Sequence, residues 1–92
     1  MDEHVMLELL KLHLQRTGTS LDPLLRAMLK QAADHIGQTG IVLRENEEDG
    51  YLQIDYAAYL YRRRANPESE MPKSLKWDLT NRLLREKGRV DG

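Results

Sequence analysis

Residues 4–16, His4-Val5-Met6-Leu7-Glu8-Leu9-Leu10-Lys11-Leu12-His13-Leu14-Gln15-Arg16, place seven apolar side chains in thirteen positions, and only Val5 among them is β-branched. That density breaks the alternation of a half-buried strand, and unbranched side chains lose little rotamer freedom in a helix. The stretch therefore predicts an α-helix. Thr17-Gly18-Thr19-Ser20 predicts its end, because glycine accepts a left-handed cap and the hydroxyls compete for backbone hydrogen bonds.

Asp22-Pro23 reads as the next start: an aspartate oxygen can accept from free N–H groups, and proline in the first turn loses no hydrogen bond. Leu25, Met28, Leu29, Ala32, Ala33 and Ile36 share one half of this second helix, which is expected to end at Gly37. Residues 37–50 then combine two early glycines, a short Ile41-Val42-Leu43 run and the acidic Glu45-Asn46-Glu47-Glu48-Asp49-Gly50. They predict a long acidic loop with a short extended piece at 41–43, and loops of that length in small domains either carry function or are mobile. A third helix is expected from Tyr51 to Ala65, stopped by Asn66-Pro67, and a fourth from Pro72 to about Lys87, closed by Gly88. The fold class expected over residues 1–92 is one all-α domain, a small bundle of about four helices with one long acidic loop.

Ninety-two residues can bury only a modest core, for which a stability of about 5–9 kcal/mol is expected. The chain has no cysteine, so neither disulfides nor thiolate metal sites can support it, which fits an intracellular setting. Met1-Asp2-Glu3-His4 opens acidic, unlike a signal peptide, and no apolar run approaches the roughly 20 residues of a membrane span. A soluble protein without membrane contact is expected. Net charge is −1, but residues 1–61 hold ten acidic and five basic side chains while residues 62–92 hold five and nine. Such a dipole either orients head-to-tail contacts between copies or reflects two ordinary solvated faces.

At 100° per residue, helix one carries Val5, Leu9 and Leu12 on one stripe and Leu7, Leu10 and Leu14 on another, leaving His4, Glu8, Lys11 and Gln15 for water. Helix three has Tyr51, Ile54, Ala58 and Tyr61 on one side and Leu52, Tyr56, Tyr59 and Leu60 on the other. Helix four has a core stripe of Leu75, Leu79 and Leu83, with Trp77 and Leu84 opposite. More apolar surface than four helices can hide marks a protein contact, unless helix three is central and Trp77 folds over the bundle edge. The contact residues expected are Leu52, Tyr56, Tyr59, Trp77 and Leu84, with Arg62, Arg63 and Arg64 pairing with acidic groups of a neighbour.

Catalytic and metal chemistry has little to stand on. His4, His13 and His35 are never three or four residues apart, so no zinc-helix pattern exists. Gly37 and Gly40 precede no phosphate-binding lysine, and the run Glu45 to Asp49 lacks the alternation, central glycine and closing glutamate of a calcium loop. No metal, no cofactor and no enzyme activity are expected. Arg62-Arg63-Arg64 with Lys73, Lys76, Arg82, Arg85, Lys87 and Arg89 could neutralise phosphates, with Tyr59, Tyr61 and Trp77 near enough to stack on bases. A small helical DNA-binding or regulatory domain is therefore the second function carried forward.

Asp22-Pro23-Leu24-Leu25, Ala32-Ala33-Asp34-His35-Ile36 and the glycine-bearing loop resemble the opening of tailed-phage head-tail connector proteins, also called head completion or adaptor proteins. Asp55-Tyr56-Ala57-Ala58-Tyr59-Leu60-Tyr61-Arg62-Arg63, a polar connector, Met71-Pro72-Lys73-Ser74-Leu75 and Asp78-Leu79-Thr80-Asn81-Arg82-Leu83-Leu84 resemble that family's closing helices. The resemblance covers residues 5–87 and rests on helical patterns. It implies a homo-oligomeric ring, dodecameric on a portal protein, that joins the head to a stopper or tail-completion protein and extends the DNA channel. DNA would pass through without being read. The expected location is the head-tail junction of a virion, and host cytoplasm during assembly. Glu45, Glu47, Glu48 and Asp49 are then expected to face the channel, where like charge keeps DNA from sticking. The tail Arg89-Val90-Asp91-Gly92 is shorter than that of larger adaptors, and there is no extra N-terminal helix.

Overall fold

A computed structural model describes residues 1–88; Arg89 and the rest of the tail lie outside the described residues. Four helices appear in chain order: α1 (Glu3–His13), α2 (Asp22–Gln38), α3 (Glu47–Ala65) and α4 (Lys73–Lys87). No strand occurs among the described residues.

The ends of these helices show which local signals decided their extent. Asp2 caps α1, its carboxylate accepting from the Val5 N–H at 2.8 Å. At the other end α1 stops at His13, earlier than the Gly18 signal predicts, because Gln15 takes the left-handed conformation at φ 57°. The Arg16 N–H reaches the Lys11 carbonyl at 2.9 Å and the Gln15 N–H reaches Leu12 at 3.1 Å, the paired bonds of a Schellman close. A glutamine with its Cβ strains that position. Gln15→Gly is expected to raise stability by about 0.5–1 kcal/mol in a denaturant titration; an unchanged or lower midpoint would contradict this reading of the turn.

Asp22 is inside α2 rather than capping it; Leu21 holds the cap position and makes no side-chain cap bond. The aspartate pairs instead with Lys11 at 3.1 Å. This corrects the placing of Lys11 in water: its stem is buried along the bundle and only its ammonium finds a partner. The larger correction concerns residues 37–50. The long acidic loop does not form, because α2 continues to Gln38 and α3 starts at Glu47. Asn46 caps α3, accepting from the Asp49 N–H at 2.7 Å. Glu47, Glu48 and Asp49 fill the first turn, where carboxylates meet the positive end of the helix dipole. Of the acidic residues expected in a loop, only Glu45 precedes the helix.

The segment between α2 and α3 crosses the end of the bundle without regular structure. Ile41 points in, Val42 out and Leu43 partly in, an extended alternation that lacks a partner strand. The core has two parts. Leu7 and Leu10 of α1, Leu25, Met28, Leu29 and Ala32 of α2, and Ile54, Ala57, Ala58 and Leu60 of α3 form the larger. Ile36, Ile41, Leu52 and Leu75 form the smaller, which α4 covers. α3 thus touches all three other helices, α4 packing chiefly on it. This explains why two opposite faces of α3 are apolar: both are covered inside one chain.

Candidate interaction surface

α3's central place corrects part of the expected contact surface. Leu52 is buried at 5 % exposure in the smaller core cluster and offers nothing to a neighbour. Tyr56 and Tyr59 are half-buried. Their rings meet edge to face at 6.0 Å, and Tyr56 also meets His35 edge to face at 5.8 Å. Burial pushes the Tyr56 phenol above its ordinary pKa, with Tyr59 adding to it. These aromatic residues fill the seam between α2, α3 and α4.

Trp77 and Leu84 are placed differently. They are 68 % and 61 % exposed, and they lie seven residues apart on the face of α4 opposite Leu75, Leu79, Arg82 and Glu86. Trp77 does not fold over the bundle edge. Lys73, Lys76 and Lys87, all exposed, run along one flank of this line. α1 shows a similar outward pair, Val5 at 41 % and Leu12 at 73 %, and Tyr51 at the start of α3 is 50 % exposed. Arg62, Arg63 and Arg64 are exposed in the last turn of α3, where cations suit the negative end of the helix dipole.

What holds α4's outer face in position is a buried polar clasp on its inner face. Arg82 is 3 % exposed and Asp49 1 %. The guanidinium donates from Nε to Asp49 Oδ1 at 2.8 Å and from Nη2 to Oδ2 at 3.1 Å, a two-pronged fit. It also donates to Glu86 at 2.9 Å and to the Val42 carbonyl at 2.8 Å. Arg44 donates to both Val42 O and Glu86, its own N–H donates to Asp49 at 2.8 Å, and the Val42 N–H donates to Glu86. In the crossing segment, which lacks a strand partner, both backbone groups of Val42 are thereby satisfied from α4 and the Arg44 N–H from α3. Arg85 adds an exposed ion pair to Glu48.

This clasp corrects two sequence expectations. Arg82 belongs to no phosphate-facing or neighbour-facing cluster, and Asp49 presents no charge to a channel, because the two neutralise each other inside the protein. The sequence signals were present: Asn46 followed by three acidic residues is a helix start, and Arg82-Glu86 is an i,i+4 pair. That Asp49 and Arg82 would meet could not be read from their spacing.

Burial pushes the Asp49 carboxyl up, but the Arg82 hydrogen bond, the Arg44 N–H and both positive charges outweigh it and hold it below its ordinary value. Glu86 is pulled down to about 2, first by the Arg82 hydrogen bond and then by Arg44. Arg82 is raised, chiefly by the hydrogen bond it donates to Asp49. Both carboxyls have folded pKa values below the unfolded ones, so their stabilisation is complete above the ordinary carboxylate range and is lost as pH falls. Asp55 runs the other way: burial raises it, His13 and Arg62 only partly oppose this, and its contribution favours lower pH. Two clasp carboxyls against one half-buried aspartate predict a net loss of stability from about pH 4.5 down to about pH 2. Thermal melting followed by circular dichroism across that range checks this; a melting temperature that rises on acidification would contradict it.

Two grooves flank the clasp and the bundle. One, of about 410 Å³, runs between α3 and α4 past Glu48, Tyr51, Asp55, Asp78 and Asn81. The other, of about 480 Å³, lies over Met6, Leu29 and Ala33. His4 and His13 are exposed and His35 half-buried. Among the described residues no group of three or more histidine, aspartate or glutamate side chains is placed to hold a metal ion, and no helix is long and apolar enough to cross a membrane. Comparison with known proteins finds no family model, no curated protein and no solved structure that matches this chain.

Proposed function

We propose that the chain is a structural adaptor of a tailed bacteriophage or prophage. Copies of it form a ring below the portal protein, join the head to a stopper or tail-completion protein, and extend the channel through which DNA passes. The observation that carries this reading is the outward pair Trp77 and Leu84: large apolar side chains on a rigid helix, aimed away from the core, flanked by cations. The residue patterns of 22–36 and 55–84 supply the family. In this role the protein is not an enzyme and needs no cofactor; it acts in the host cytoplasm during assembly and then at the head-tail junction. Electron microscopy of the chain mixed with the candidate portal protein tests the reading. An added ring of density on the tail-facing side of the portal supports it, and bare portals at saturating chain concentration refute it.

A second reading is favoured by one observation, the exposure of Arg62, Arg63 and Arg64 beside the half-buried Tyr59 and Tyr61. A small DNA-binding or regulatory domain would use them on phosphates. It predicts duplex binding whose affinity falls steeply with salt as counterions are released. The adaptor reading predicts no such binding by the isolated chain.

A further inference from the structure

We infer that the outer faces of α1 and α4 are the two halves of one contact, in which α1 of one copy lies antiparallel on α4 of the next. Each helix presents two large apolar side chains seven residues apart and aimed away from its own core: Val5 and Leu12 on α1, Trp77 and Leu84 on α4. At 1.5 Å per residue both pairs span about 10 Å, so Val5 can meet Leu84 while Leu12 meets Trp77. The two faces differ in charge. Glu8 flanks the α1 pair, and Lys11, the helix's only lysine, is buried closer to Asp22, at 3.1 Å, than to Glu8, at 3.9 Å. Lys73, Lys76 and Lys87 flank the α4 pair, while Arg82 is turned inward to Asp49.

Direction follows from the flanks. Helical geometry places Glu8 and the three lysines on the same rotational side of their apolar pairs. When two helices face each other antiparallel, same-sided flanks lie together, so Glu8 runs beside the lysines. Parallel packing would set Glu8 against the flank that carries Asn81, Asp78 and the Arg85 already paired with Glu48, away from all three lysines.

Because the two faces belong to different parts of the chain, the contact is head to tail and propagates into a ring or filament rather than a closed dimer. One helix pair buries less than the roughly 1,000 Å² of a stable interface, so the contact is weak between free copies and accumulates when many are aligned. The inference rests on the self-assembly part of the proposed function and names its surfaces.

The chain lacks cysteine, so single cysteines report contacts cleanly. Glu8→Cys chains are mixed with Thr80→Cys chains at high concentration and oxidised with copper phenanthroline. Both sites are exposed and leave the four apolar side chains intact. The mixed disulfide dimer is expected to exceed either same-site dimer by more than about ten-fold, and to fall to the statistical proportion when Trp77→Ala is added to the Thr80→Cys chain. Glu8→Cys with Asn81→Cys, the pair that parallel packing would favour, is expected to cross-link less. A statistical mixture, a yield indifferent to Trp77→Ala, or a preference for the Asn81 pair overturns the inference. If the cross-link forms but portals stay bare, the contact stands and the phage role falls. If rings form on portals without the cross-link preference, the contact alone is wrong.

Discussion

Arg82→Ala is expected to lower the unfolding free energy by about 3–5 kcal/mol, because it leaves the Asp49 carboxylate buried without its counter-charge. For a chain this size, with about 5–9 kcal/mol in total, that removes roughly half of the stability. The loss has a definite location. Without the guanidinium, Val42 O and Glu86 also lose donors, and the crossing segment is no longer tied to α4. The double substitution Arg82→Met with Asp49→Leu is expected to recover much of the loss, since apolar groups of similar volume leave no buried charge behind. Urea titrations of the two variants check this. A single variant as mild as a surface change, within about 0.5 kcal/mol, would mean that the clasp contributes little.

The second large effect lies on the opposite face of the same helix. Trp77→Ala is expected to weaken association, with further copies or with the portal, by about 30-fold or more, as truncation of a central aromatic anchor does. Its unfolding midpoint is expected to stay within about 0.5 kcal/mol of the parent, because the ring is 68 % exposed in the single chain. The contrast between the two variants is diagnostic. Arg82 holds α4 in place from within; in the proposed role Trp77 uses the placed helix from without. A Trp77→Ala chain that loses stability but associates normally would assign the tryptophan to the fold.

Helix identity was legible because it rests on local periodicity. The dense leucines of residues 4–16, the Asn66-Pro67 stop and the Pro72 start each appear close to where the structure has them. The acidic stretch misled because its charge pattern suits two contexts, a solvated loop and a helix N-terminus, and Asn46 decides between them by accepting from Asp49. Leu52, Tyr56 and Tyr59 misled for a different reason. A helix that is apolar all round is either exposed to partners or central in its own fold, and only the packing of α1, α2 and α4 around α3 distinguishes these. The Arg82-Asp49 pair was out of reach, since thirty-three positions separate its members. Trp77 and Leu84 were readable, because seven residues at 100° place them together whatever the rest of the bundle does.

The most direct test of the central claim, that this chain is built to assemble through α4's outer face, is light scattering on a size-exclusion column. It would be run over a wide concentration range, with and without the candidate portal protein. The account predicts a mass that rises with concentration or jumps to a ring-sized complex when portal is added. A strict monomer at every concentration, unaffected by portal, would contradict it.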